Sequence, residues 1–228
     1  MAATHEQLVQ FYSQFIRPGD LCYDVGAHRG NTTAALRALY AKVVCIEPQP
    51  QIVQMLQRRF ANDPFVYIVP KGVAARPGHL PMFISERDHT VSTFAEKWKT
   101  GRFKGYTDWN ITKSLPVTTL DALIQQYGVP EFCKIDVEGF EYEVLQGLST
   151  PIPMLSFEFT QEFLGDASLC LNRLATLSDK AVFNFSIEET FRWGSSQWSG
   201  VDEVLNRLHE LAGDLLWGDL YAQFALKE

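Results

Sequence analysis

The sequence predicts an α/β fold built on a doubly wound, mostly parallel sheet. Two observations carry that expectation. Apolar runs alternate with helical stretches over residues 21–70, in the order strand, helix, strand, helix, strand. The first run, LCYDV at 21–25, leads into a turn with glycines at 26 and 30, and a helix then begins at Asn31 and Thr32. That order puts bare backbone N–H groups and a helix N-terminus at the carboxyl end of a strand, where open α/β sheets bind their ligands.

Taken in order, residues 6–16 carry apolar side chains at 8, 11, 12, 15 and 16, one face of a helix, which Arg17-Pro18-Gly19-Asp20 stops. The first strand spans 21–25, the first crossover helix 32–40 and the second strand 43–47. A helix over 51–60 sets Ile52, Met55, Leu56 and Phe60 on one side, and 65–70 is the third strand, followed by Lys71-Gly72-Val73-Ala74. Residues 78–85 and 115–118 read as short edge strands. Between them, 86–114 is long and weakly periodic, the pattern of a functional loop or a disordered one. Lys97, Lys99, Arg102 and Lys104 stand there among Trp98, Phe103, Tyr106 and Trp109. The stretch is either a solvated face or a lid in which aromatic rings cover a substrate and cations meet hydroxyls or phosphate.

Residues 120–127 form a helix entered through Thr118-Thr119 and ended by Gly128. A fourth parallel strand at 133–137 runs out in Asp136-Val137-Glu138-Gly139. A helix at 141–148, a strand at 153–159 carrying Glu158, a helix at 169–177 and a strand at 181–187 follow. A helix at 201–211 and a final strand at 221–226 complete the chain. This describes one domain over residues 1–228, with an N-terminal helix within 1–19. Phe191, Arg192, Trp193 and Trp198 either wall an acceptor pocket or pack under the last helix.

Composition narrows the function. A net charge of −7 argues against a nucleic-acid or acidic-membrane binder. No run of about 18 apolar residues spans a membrane, and the start, MAATHEQLVQFY, lacks a signal-peptide pattern. Cys22, Cys45, Cys133 and Cys170 have no metal-type spacing, and the first three lie in expected buried strands and read as small core hydrophobes of a reducing, cytoplasmic compartment.

The glycine turn is not the dinucleotide fingerprint. Asp24 stands where the first glycine belongs and His28 where the second does, and both disfavour close approach of a pyrophosphate. An acidic residue at the strand end suits an amino group instead. Glu47 follows Asp24 by 23 residues, near the spacing at which a carboxylate meets a ribose diol. S-adenosylmethionine has an ammonium, a ribose diol and no phosphate, so it suits both. Competing readings are a nicotinamide-dependent oxidoreductase on a similar sheet and a cofactor-binding protein without turnover.

YDVGAHRGNTT, VVCIEPQP, TTLDALI and above all KIDVEGFEYEVLQGL (134–148) resemble the FkbM-type methyltransferases, within the class I S-adenosylmethionine-dependent group. The resemblance covers about residues 20–160. It implies a Rossmann-like, seven-stranded sheet with helices on both faces and one antiparallel strand near the C-terminus. It also implies O-methylation of a hydroxyl on a small molecule or glycan. Carried over by position, Asp24, Gly26, Ala27, Gly30, Asn31 and Thr32 surround the methionine end. Glu47 and Pro48 lie at the ribose, Gly72 and Val73 near the adenine, and Asp136 near the sulfonium and the acceptor.

Methyl transfer to a hydroxyl needs the acceptor in line with the methyl group and a base within hydrogen-bond reach. Asp136, Glu138 and His89 are the expected catalytic residues, with Glu158 and His28 as further candidates. Glu138 is equally suited to capping the helix that follows or to binding Lys134. Asp136, Glu138 and Glu158 offer hard oxygen ligands to Mg²⁺, but the expected site holds no metal. The expected partner is a small-molecule or carbohydrate acceptor, and the sequence leaves the oligomeric state open.

Overall fold

The computed structural model describes residues 4–85, 91–100, 105, 109–188, 190–211, 213 and 216–224. Strand β1 (Leu21–Val25) lies at the centre of the main sheet, and four of its five residues are buried. A strand covered on both faces needs a continuous apolar run rather than alternation, which is what LCYDV supplies. Helix α2 (Asn31–Ala38) crosses to β2 (Lys42–Ile46), and α3 (Pro50–Arg59) crosses to β3 (Val66–Val69). On the other side of β1 follow β7 (Phe132–Ile135), α5 (Glu141–Gln146), β8 (Met154–Thr160), α6 (Leu164–Ala175), β9 (Ala181–Ile187), α7 (Val201–Glu210) and β10 (Trp217–Phe224). The strand order is β3-β2-β1-β7-β8-β10-β9. All neighbours are parallel except β10, which is antiparallel to β8 and β9. This is the expected seven-stranded architecture, including its single reversed strand.

Each face of the sheet has its own apolar layer. Tyr23, Val25, Ile46, Ile135, Leu155 and Phe157 pack on one side with α5, α6, α7 and α4 (Leu120–Tyr127). Tyr23 also ties β1 to α4, since its hydroxyl donates to the carbonyls of Leu123 at 2.9 Å and Gly128 at 2.7 Å. Cys22, Val43 and Phe132 face the other way, toward α2 and α1 (His5–Tyr12). Helix α1 starts with a capping box in which Thr4 accepts from Gln7 N–H and Gln7 accepts from Thr4 N–H. The four cysteines are buried and free. No helix among the described residues is long and apolar enough to cross a membrane.

Five expectations change. Residues 78–85 and 115–118 do form strands, β5 (Gly78–Ile84) and β6 (Ile111–Thr118), but not at the edge of the main sheet. They pair antiparallel with each other, and β6 pairs parallel with β4 (Gly72–Val73), making a separate sheet of order β4-β6-β5. Strand β6 begins at Ile111, inside the stretch expected to be loop, because its outer residues Thr112–Ser114 are polar and solvent-facing. Strand β10 begins at Trp217 rather than 221, and α6 at Leu164 rather than 169. Phe191, Trp193 and Trp198 pack beneath the first helix, not the last. Trp193 lies 4.9 Å from both the Phe11 and Tyr221 rings and 5.1 Å from Trp198.

Candidate active site

A cleft of about 700 Å³, counted to its open mouth, lies over the carboxyl ends of β1, β2 and β7. The sheet order reverses direction between β1 and β7, and a crevice opens at such a switch point. The cleft floor is set by Gly26, which has φ +82°. A Cβ there would fall 1.7 Å from the Asp136 carbonyl oxygen, so only glycine lets the ends of β1 and β7 meet this closely.

Glu47 follows β2 and is buried, yet it lines the cleft. Its Oε2 accepts from His28 N–H at 3.0 Å and its Oε1 from Gln49 N–H at 2.8 Å. His28, itself at φ +45°, therefore serves Glu47 through its backbone. Burial pushes the Glu47 carboxyl up to about 7, against the opposing pull of the two N–H groups. Pro48, Gly72 and Val73 line the same end, and Ile46, Met82, Phe94 and Val137 supply apolar walls.

At the other end stand Asp136 and Glu138. With Glu158 of β8 they bring three carboxylates together, one oxygen from each lying within 4.8 Å of the others. Lys134, on β7, reaches Asp136 Oδ2 at 2.6 Å. Burial pushes the Glu138 and Glu158 carboxyls well above the usual carboxylate range, and neighbouring carboxylates push them further. Glu138 has φ +56° in the turn between β7 and α5. That turn is held by Glu141, whose Oε1 accepts from Val137 N–H at 3.1 Å and Gly139 N–H at 3.3 Å. Glu141 thus braces the turn, and the N-cap of α5, Phe140, makes no side-chain cap bond. The three carboxylates are oxygen donors of the kind Mg²⁺ takes, but an acidic group of this kind is common without an ion, and nothing further points to one.

The sequence-derived residues divide. Gly26, Glu47, Pro48, Gly72, Val73, Asp136 and Glu138 line the cleft. Asp24 is buried behind the turn, where Thr33 Oγ1 donates to its Oδ2 at 2.6 Å and burial raises its carboxyl. Ala27, Gly30, Asn31 and Thr32 form the turn and the first turn of α2 rather than the cleft wall. His89 lies outside the described residues, as do Arg102, Phe103, Lys104 and Tyr106. Lys97 pairs with Asp166 at 2.7 Å, and Lys99 sits 3.9 Å from the Phe83 ring centre.

Gln49, Lys71, Met82, Ser92 and Phe94 also line the cleft and were not anticipated. Gln49 and Lys71 directly flank named residues, a signal that could have found them. Ser92 and Phe94 belong to the segment 91–100, which crosses the site. In it Thr93 Oγ1 donates to the Glu138 carbonyl at 2.6 Å, and the Phe94 ring packs 5.7 Å from Phe140.

A precorrin-6Y C5,15-methyltransferase from Geobacter metallireducens GS-15 has the same fold at 8% identity. The match covers 99% of this chain and 90% of that one, with a TM-score of 0.53. An rRNA methylase from Streptococcus thermophilus aligns at 12% identity over 97% of this chain and 94% of that one, with a TM-score of 0.46. A precorrin-8w decarboxylase from Methanobacterium thermoautotrophicum aligns at 12% identity over 99% and 92%, with a TM-score of 0.48. No curated protein matches the sequence. The sequence profile of the methyltransferase FkbM domain matches residues 24–212. The chain belongs to the FkbM methyltransferase family, whose members depend on S-adenosylmethionine.

Proposed function

We infer that the protein methylates a hydroxyl oxygen of a small molecule or glycan. The observation that carries this reading is the polarity of the cleft: one buried carboxylate, Glu47, at the β2 end, and clustered carboxylates at the β7 end, joined by apolar walls. S-adenosylmethionine, when bound, supplies an electrophilic methyl group. Glu47 keeps free lone pairs beyond its two N–H contacts and accepts from a ribose diol. Ile46, Val73 and Phe94 shelter the base. Gly26 lets the amino-acid end approach, and Asp24, Ala27, Gly30, Asn31 and Thr32 shape the turn from behind.

At the reacting end, Asp136 and Glu138 are the groups within reach of an acceptor hydroxyl. Burial and the neighbouring carboxylates make the Glu138 carboxylate more basic than an exposed glutamate, and we assign it the proton-accepting role, with Asp136 orienting the hydroxyl. His89 remains a proposed acid or base on its sequence position. The carboxylates and the net charge of −7 oppose a phosphate-rich acceptor, so nucleic acid is not part of this reading. Four reduced, buried thiols suit a reducing, cytoplasmic compartment.

Calorimetry with S-adenosylhomocysteine and with NAD tests the cofactor assignment. Binding of the first and not the second is expected, with loss in Glu47→Ala. A panel of hydroxylated acceptors with isotopically labelled methyl donor tests the rest. Glu138→Gln should lower turnover by about 10²–10⁴-fold while S-adenosylhomocysteine still binds. Binding of NAD without S-adenosylhomocysteine overturns the reading.

A further inference from the structure

A second, smaller cavity lies next to the carboxylate cluster. Four aromatic residues line it: Trp98, Phe157, Phe159 and Phe163. So do the carboxyl-bearing side chains Glu141, Glu158 and Asp166. Its interior, about 20 Å³, has room for one water-sized group. Among the described residues, no lysine, arginine or histidine lines it.

Two further observations indicate what it takes. Thr160 lines the cavity and is buried, and its Oγ1 has no hydrogen-bond partner among the described residues. A buried hydroxyl of this kind calls for a ligand atom or water that completes it. The chain also places an ammonium of its own against the same wall. Lys97 Nζ lies 2.7 Å from Asp166 Oδ2 and 5.9 Å from the Phe163 ring centre, and Phe163 in turn stacks on Trp98 at 5.5 Å. An aromatic face beside a carboxylate is the environment in which ammonium groups are bound.

The cavity neighbours the reaction end of the main cleft without sharing a lining residue with it. Glu158 lines it and also belongs to the cluster with Asp136 and Glu138. Gly139 and Glu141, which line it too, belong to the turn that carries Glu138.

We propose that this cavity binds a primary ammonium group of the methyl acceptor, which is therefore a hydroxylated primary amine such as an amino sugar or an amino alcohol. The proposal rests on the methyl-transfer reading above. The carboxylates exclude an anion. Lys97 already answers Asp166 and two backbone N–H groups answer Glu141, and a neutral hydroxyl brings no positive charge to Glu158. A quaternary ammonium is too large for an interior that admits one water-sized group. A primary ammonium brings three N–H donors to Glu158, Thr160 and the rings.

The test follows indole ¹⁵N–H signals of the whole protein, with the Trp98 signal assigned from Trp98→Phe, during titration with ethanolamine or its neutral counterpart ethylene glycol. Ethanolamine is expected to shift the Trp98 signal saturably with a Kd of about 1–10 mM, at least about tenfold tighter than ethylene glycol. Thr160→Val, which keeps the shape and removes the hydroxyl, is expected to weaken ethanolamine by about threefold or more. Equal responses to the two probes overturn the proposal, and so does the absence of a Trp98 response to ethanolamine up to about 100 mM. Both outcomes are read on the unmodified protein, and sequential backbone assignment identifies the Trp98 signal where Trp98→Phe fails to fold. A parallel titration with S-adenosylhomocysteine separates the failures. Its binding without an ethanolamine response sinks only this inference, and its failure to bind sinks the cofactor assignment.

Discussion

Lys134 Nζ lies 2.6 Å from Asp136 Oδ2, and the two side chains project from one face of the strand at its carboxyl end. Register carries the same polar row across the sheet, since Lys134 pairs with Asp24 on β1 and with Ser156 on β8. Burial opposes the Lys134 ammonium, but Asp136 and Asp219 outweigh it and hold the group well above its ordinary value. Among the described residues, Lys134 is thus the cation set among the carboxylates that end the central strands.

Removing that cation leaves carboxylates in a poorly solvated place. Lys134→Met should destabilise the fold by about 2 kcal/mol, less than the 3–5 kcal/mol typical of a fully buried pair because the Asp136 side chain is 35% exposed. Lys134→Arg should recover part of the loss by keeping the charge. Urea unfolding of the three proteins checks this, and a Met variant as stable as the parent refutes it.

Protonation gives the second expectation. Burial lifts both Glu47 and Glu141 from the usual 4.5 to about 7. The folded state therefore holds these protons more tightly than the unfolded chain. The stability they confer is complete below about pH 4.5 and is lost as pH rises through about 7. Each amounts to about 3 kcal/mol over that window, and Glu138 and Glu158 act in the same direction. Chemical denaturation across the window should show stability falling with pH, and Glu47→Gln should flatten the slope. S-adenosylhomocysteine affinity should move the opposite way, rising as Glu47 ionises and becomes a full acceptor for the ribose hydroxyls. Calorimetry in buffers of different ionisation enthalpy would detect the accompanying proton release.

These groups also mark where the sequence was legible and where it was not. The strand at 21–25 was read without error because a run buried on both faces has one pattern and sharp ends. Glu47 and Asp136 were found for the same reason, as polar residues that end apolar runs. The partners of β5 and β6 were not legible. Alternation identifies a strand but not its neighbour, and β4, two residues long, gives no periodic signal. The start of β10 was missed because Gly218 and Asp219 are poor strand formers that tertiary pairing with Ser186, Ile187, Glu158 and Phe159 overrides. Phe94 and Trp98 were visible as aromatics. Their placement over the site depends on a hydrogen bond from Thr93 to the Glu138 backbone, which has no sequence signature.

Thr93 supports a third expectation. Its hydroxyl donates to the Glu138 carbonyl at 2.6 Å and accepts from Ala95 N–H at 2.8 Å. Thr93→Val keeps the volume and removes both bonds. It should cost about 1–3 kcal/mol, since the Ala95 N–H is buried. The loss should concentrate in the segment 91–100, so amide exchange should quicken there and stay unchanged in β1 and β2. Uniform quickening across the sheet would refute the local tie.

The same segment is pinned a second time, at Gly139. This residue has φ +87°, and a Cβ on it would lie 2.7 Å from Trp98 Cε3. Gly139→Ala therefore meets two costs: a left-handed backbone carrying a side chain, about 1–2 kcal/mol, and displacement of the indole. The first cost is intrinsic to position 139. The second depends on what occupies position 98. Trp98→Phe replaces the indole with a smaller ring and leaves room for the new methyl group. Gly139→Ala should therefore cost less in the Trp98→Phe background than in the parent, with a coupling of about 0.5–3 kcal/mol in a double-mutant cycle. Strict additivity would mean that the indole does not press on the turn carrying Glu138, and that the segment 91–100 holds that turn through the Thr93 bond and the Phe94–Phe140 contact instead.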